Sequence, residues 1–159
     1  DYAEREEFYA EMLEFHEARK LDPEHPWSDS ICKKLMAIID GLGKNQSFHR
    51  YSYLDEMKDE ALLNIMKYGH NYNPYKLDPQ TGKPYNPFSY FNRIAWQAFV
   101  SVINSEAKQQ DIKREYLRKN LSNHEELFLD GSAEATEILD NLALMFDEKA
   151  KDKEDNKST

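Results

Sequence analysis

Apolar residues recur at helical spacing along most of the chain. Phe8, Met12 and Phe15 stand among Glu4, Glu7, Glu11 and Glu14, which predicts an amphipathic helix over residues 2–19. Leu21-Asp22-Pro23-Glu24-His25-Pro26 ends it, because proline can neither continue the hydrogen-bond ladder nor let its predecessor stay helical. Ser28 or Ser30 then caps a second helix bearing Ile31, Leu35, Ile38 and Ile39, with Cys32 and Met36 packing beside them and Gly41 and Gly43 supplying the exit. A third helix follows over residues 53–68, with a core stripe of Leu54, Met57, Ala61, Ile65 and Tyr68 and with Gly69 as a left-handed stop. Residues 70–86 hold Pro74, Pro79, Gly82 and Pro84, a connection longer than usual and therefore a candidate for function. Asn86-Pro87 is a strong helix start, and a long helix is predicted over residues 87–115 with Phe88, Phe91, Ala95, Phe99 and Val102 on its core side. Residues 121–131 read as irregular. Ser132 can cap a short helix carrying Ile138, Leu142, Met145 and Phe146, and residues 149–159 form a charged low-complexity tail. No alternating pattern of any length marks a strand, so the expected fold is all-α: a helical domain over residues 1–120 and an acidic tail over 121–159.

With 159 residues the chain has room for one core. Net charge is −9, but it is unevenly spread: −6 over residues 1–27, +3 over 28–118 and −6 over 119–159. Twelve of the 20 aromatic residues fall between Phe48 and Phe99, so a mildly basic, aromatic centre lies between acidic ends. Cys32 is the single cysteine, which excludes an intramolecular disulfide and fits a reducing compartment. The first 20 residues are acidic rather than basic then apolar, unlike a secretory signal, and no segment has the composition of a membrane span.

Catalytic patterns are poor. His16, His25, His49, His70 and His124 are scattered without metal-ligand spacing, and there is no glycine-rich phosphate loop or nucleophile elbow. Glu14-x-x-Glu17 with Glu56-x-x-Asp59 faintly resembles the carboxylate pairs that hold Mg²⁺ in all-α nucleotide pyrophosphatases, yet glutamates three apart are commonplace on surface helices. The expectation is a protein that is not an enzyme and that uses no cofactor or metal.

Two helix faces carry more information. On the third helix Glu56, Asp59, Glu60 and Lys67 lie opposite the core stripe with Leu63 and Met66 among them: either a solvated face with stray apolar residues, or a surface that steers a basic partner and buries Leu63 and Met66 on contact. On the long helix Arg93, Gln97, Asn104 and Lys108 share the face opposite the core, with Tyr90 and Trp96 flanking. These side chains reach phosphates and base edges and offer rings to unstacked bases, although most polar stripes are simply solvated. Lys113, Arg114, Arg118 and Lys119 extend the positive charge, diluted by Asp111 and Glu115.

The run Glu56-Met-Lys-Asp-Glu-Ala-Leu-Leu-Asn-Ile-Met-Lys-Tyr-Gly-His-Asn-Tyr72, followed by Phe88-Ser-Tyr-Phe-Asn-Arg-Ile-Ala-Trp-Gln-Ala-Phe99, resembles the second conserved region of bacterial sigma factors. The resemblance is specific over residues 53–107 and is greater to the late-transcription sigma factors of T-even-type tailed phages, through the Asp-Glu-Met start of the third helix, Asn86-Pro87-x-x-Tyr90 and Ala98-Phe99-Val100. It implies that Glu56, Met57, Asp59 and Glu60 bind the core of bacterial RNA polymerase, and Leu63 and Met66 of the same outer face are expected to bury there on contact. It further implies that Phe88, Ser89, Phe91 and the Trp96-Gln97-Ala98 run match the promoter-reading helix, so the stripe read from spacing, Tyr90, Arg93, Trp96, Gln97, Asn104 and Lys108, is expected to take the non-template strand of a TATAAATA-type −10-like element. Members of this branch end in a hydrophobic, acidic segment that docks on the phage sliding clamp and couples to a late co-activator. Here Leu142, Leu144, Met145 and Phe146, followed by Asp147 and Glu148, are the counterpart, unless they pack back on the domain. The implied location is the cytoplasm of an infected bacterium. A polymerase-binding adaptor, a co-activator or anti-sigma protein that never touches bases, is the alternative. Two departures stand out: the 72–88 stretch is longer than in ordinary sigma factors, and the paired tryptophans of the housekeeping class are missing.

Overall fold

A computed structural model describes residues 2–123. Among these the chain is helical, in the order α1 (Tyr2–Leu21), α2 (Asp29–Gly43), α3 (Leu54–Tyr68), a single 3₁₀ turn (Gly69–Asn71) and α4 (Pro87–Asn123). It divides into two compact units, Asp1–Ser101 and Val102–Thr159, and α4 begins in the first and ends in the second. The expected all-α fold is what is observed.

In the first unit each helix turns one stripe inward. Phe8, Met12 and Phe15 of α1, Ile31, Leu35, Ile39 and Leu42 of α2, Met57, Ala61 and Ile65 of α3, and Phe91, Ala95, Ala98 and Phe99 of α4 are buried at spacings of three and four. Aromatic rings bind the layers together. Phe8 stacks on Phe91 at 5.7 Å and meets Phe88 edge-on at 4.7 Å, Phe15 stacks on Trp27 at 4.2 Å, and Phe48 meets Phe99 edge-on at 5.1 Å. Each such pair adds about 0.5–1.5 kcal/mol beyond the area it buries. A half-buried ion pair closes the outer seam between α1 and α2: Lys34 Nζ donates to Glu11 Oε1 at 2.5 Å and to Ser30 Oγ at 2.9 Å. The hydrogen bond to Glu11 holds the Lys34 ammonium above its ordinary pKa.

Both N-terminal caps that the sequence offers among the described residues are formed. Ser28 Oγ accepts from Ile31 N at 3.1 Å, resolving the choice between Ser28 and Ser30, and Asn86 Oδ1 accepts from Phe88 N at 3.0 Å. α3 begins at Leu54 with no side-chain cap.

Several expectations need correction. Gly69 is right-handed, at φ −62°, so it does not stop α3 by a left-handed turn. It is needed for space: a Cβ there would stand 2.9 Å from both Phe91 Cε1 and Trp27 Cη2. Gly41 lies inside α2, which runs through Gly43 and is capped by Lys44 N donating back to Asp40 O. Met36 is 44% exposed because it falls off the Ile31–Leu35–Ile39 stripe, and Tyr68 is 56% exposed, Gly69 rather than Tyr68 being the residue held against Phe91 and Trp27. Leu54, likewise expected in the core, is half-buried. α4 extends past the expected end near residue 115 to Asn123, so residues 121–123 are helical rather than irregular. Ser132 and the segment bearing Ile138, Leu142, Leu144, Met145 and Phe146 lie outside the described residues.

Candidate functional site

On α3 the inward stripe leaves a charged outer face. Glu56, Asp59 and Lys67 are exposed, Glu60 and Met66 are half-buried, and Leu63 is 48% exposed. Glu56, Asp59 and Glu60 take no ion pair among the described residues, so their field is not cancelled locally. Met57, which the sequence places both in the core stripe and in the polymerase-binding pattern, is fully buried and serves the core.

In the first unit α4 presents Arg93, Trp96 and Gln97 to solvent, with Trp96 49% exposed. Phe91 is buried against Phe8, and Phe88 is half-buried beside it, so both serve packing, while Ser89 is exposed. Tyr90 is half-buried, meeting Tyr72 at 5.2 Å and Phe91 at 5.2 Å, and desolvation raises its phenol pKa. Its hydroxyl has no hydrogen-bond partner among the described residues. In the second unit Asn104 and Lys108 are exposed and Val102 is half-buried. Arg118 pairs with Glu115 and Arg114 stands 3.8 Å from Asp111, so the positive charge there is partly neutralised within the helix.

The connection between the 3₁₀ turn and α4 is ordered by its own bonds. Leu77 and Pro84 form an isolated antiparallel bridge, Asp78 N donates to Lys83 O at 2.8 Å, and Gly82 turns the chain at φ +68°, a conformation other residues adopt with strain. Three tyrosines fasten it down. Tyr72 Oη donates to Tyr85 O at 2.5 Å, Tyr9 Oη of α1 donates to Pro74 O at 2.8 Å, and Tyr75 Oη donates to the Glu17 carboxylate, which also receives Lys20 Nζ at 3.1 Å. The Tyr75 and Lys20 hydrogen bonds hold Glu17 below the usual carboxylate pKa. Burial pushes the Tyr72 phenol up to about 12.

Beside this connection a cleft of about 630 Å³ opens, with Arg5 of α1, Asn71, Lys76, Tyr85, Tyr90 and Arg93 in its wall. Sequence reasoning marked the long connection and Tyr90 and Arg93 but gave no reason to single out Arg5, Asn71, Lys76 or Tyr85. The length of the connection pointed towards Asn71, Lys76 and Tyr85, and nothing pointed to Arg5 of α1.

Among the described residues no group of three or more His, Cys, Asp or Glu could hold a metal ion. Glu17, half of the Glu14-x-x-Glu17 pair, is occupied by Tyr75 and Lys20. No helix among the described residues is long and apolar enough to cross a membrane. Compared with protein-family models, curated proteins and solved structures, the chain matches none.

Proposed function

We propose that the chain is a sigma-like initiation protein of the phage late-transcription type. The outer face of α3 holds the core of bacterial RNA polymerase, and the outer face of α4 takes the non-template strand of an A/T-rich, TATAAATA-type −10-like element. The observation that carries this reading is the two-sidedness of α3: Met57, Ala61 and Ile65 are spent on the core, while Glu56, Asp59 and Leu63 stay available to a partner. The same division on α4, with Phe91, Ala95, Ala98 and Phe99 inside and Arg93, Trp96 and Gln97 outside, supports the second half.

The chemistry is an exchange of stacking partners, with no covalent step by this chain. Opening duplex DNA gives up about 1.4 kcal/mol per base-pair step, and a base stacked on an aromatic side chain recovers about 1–3 kcal/mol. One or two captured bases therefore offset a step or two of melting. The polymerase performs the catalysis. At a net charge of −9 the free chain binds duplex weakly, and selectivity emerges once the polymerase supplies positive surface. Coupling to a sliding clamp and co-activator through Leu142, Leu144, Met145 and Phe146 belongs to this proposal, as does action in the cytoplasm of an infected bacterium.

Run-off transcription tests it directly. With purified core polymerase and a TATAAATA-type template, adding the chain should produce transcripts starting downstream of that element, and Arg93→Ala with Gln97→Ala should abolish them. The acidic balance of the chain favours one other reading, a polymerase-binding adaptor. An adaptor would keep promoter-dependent initiation in the double variant.

A further inference from the structure

The cleft beside the long connection joins three elements that are distant in sequence: α1 through Arg5, the connection through Asn71, Lys76 and Tyr85, and α4 through Tyr90 and Arg93. Three cations face it against one carboxylate, Asp78, and Asp78 Oδ1 already accepts from Gln80 N at 2.9 Å. Lys76 and Arg93 belong to the basic centre of the chain, and Arg5 adds a cation from the acidic first 27 residues. Neither Arg5 nor Arg93 takes an ion pair or hydrogen bond among the described residues.

Aromatic rings share this lining with the cations. Tyr90 is half-buried, its hydroxyl without a hydrogen-bond partner among the described residues, and Tyr85 lies under Lys76, whose Nζ is 5.9 Å from the ring centroid. The frame is fixed rather than loose, because Tyr72 is bonded to Tyr85 O and Tyr9 to Pro74 O. Cations beside ring faces and amide edges in one hollow are the combination that recognises a phosphate linked to an aromatic base.

We propose that this cleft seats one nucleoside phosphate, with Arg5, Lys76 and Arg93 as cations for its phosphate, Tyr85 and Tyr90 as ring faces for its base, and Asn71 on a base edge. It rests on the reading of α4 as the strand-facing helix only for the source of that nucleotide, a single DNA strand rather than a free mononucleotide. The strand path then leaves α4 and crosses the connection towards α1, so Arg5, outside the sequence run that resembles sigma factors, becomes a DNA-binding residue.

The test uses the full chain at low salt and reads fluorescence anisotropy of a labelled oligothymidylate, with unlabelled dTMP and inorganic phosphate as competitors. Arg5→Gln and Tyr85→Ala should each weaken binding about tenfold, which corresponds to about 1.4 kcal/mol. Lys44→Gln, which removes one exposed charge outside the cleft wall, should weaken it much less. Competition by dTMP but not by phosphate alone supports a nucleoside phosphate site. A chain that binds dTMP but does not bind the oligonucleotide keeps the ligand class and overturns its source in a strand. Equal loss in all three variants, or no binding of either ligand by the parent chain, overturns the cleft. Promoter-directed run-off transcription that survives Arg5→Gln together with Tyr85→Ala would remove the cleft from the strand path while leaving the proposed function intact.

Discussion

Gly69 and Phe91 meet so closely that a Cβ on the glycine would lie 2.9 Å from Phe91 Cε1, with Trp27 Cη2 equally near. The backbone at Gly69 is an ordinary right-handed turn. Gly69→Ala should therefore destabilise through overpacking, by about 1–3 kcal/mol, and thermal unfolding would show it. Trimming the obstacle with Phe91→Leu should make the alanine less harmful than in the parent background. If the penalty were unchanged both there and with Trp27→Leu, steric crowding would not be its cause.

The two sides of α3 predict opposite phenotypes. Glu56→Lys with Asp59→Lys changes exposed positions and should move stability by no more than about 0.5 kcal/mol, while weakening capture by RNA polymerase core about tenfold or more. Met57→Ala removes a fully buried side chain and should cost about 2–5 kcal/mol of folding stability. Unfolding curves and pull-down on polymerase, measured on the same preparations, separate the two.

Tyr72 makes the fold sensitive to alkali. Its phenol is buried, so its pKa rises to about 12 in the folded state against about 10 when unfolded. An acid with a raised folded pKa contributes stability that is fully present below pH 10 and is lost as pH climbs through 12. The loss amounts to roughly 2–3 kcal/mol across that window. Tyr72→Phe should flatten this part of the pH–stability curve. At neutral pH it should cost about 1 kcal/mol for the bond to Tyr85 O.

Asn86→Ala leaves Phe88 N without its side-chain acceptor at the start of α4 and should cost about 1 kcal/mol. Ser28→Ala should cost a similar amount at α2, where Ile31 N loses Ser28 Oγ. Chemical denaturation should show both losses in the midpoint rather than in the slope.

The stripes Phe8–Met12–Phe15, Ile31–Leu35–Ile39 and Met57–Ala61–Ile65 were legible in sequence because each is a strong helical repeat bounded by a cap, a proline or a glycine. What periodicity could not convey is which residue at the end of a stripe meets the facing element. Tyr68 continues the α3 stripe yet is exposed, since exposure depends on the element across from it. Gly69 was misread for a related reason: glycine after a helix has two physical uses, a left-handed turn and close approach, and the second depends on Phe91 and Trp27, more than twenty positions away on either side. The outer faces of α3 and α4 followed from spacing alone. Arg5 did not, because nothing local distinguishes it from the other charges of α1, and only tertiary placement brings it to Tyr90 and Arg93.

The packing of Phe8 on Phe88 and Phe91 also sets the order of events on the ribosome. Eighty positions separate Phe8 from Phe88, which at about 5–20 residues per second means several seconds of translation. Phe15 can meet Trp27 long before that, but Phe8 stays uncovered in the nascent helix, a target for chaperones, until α4 has emerged from the exit tunnel.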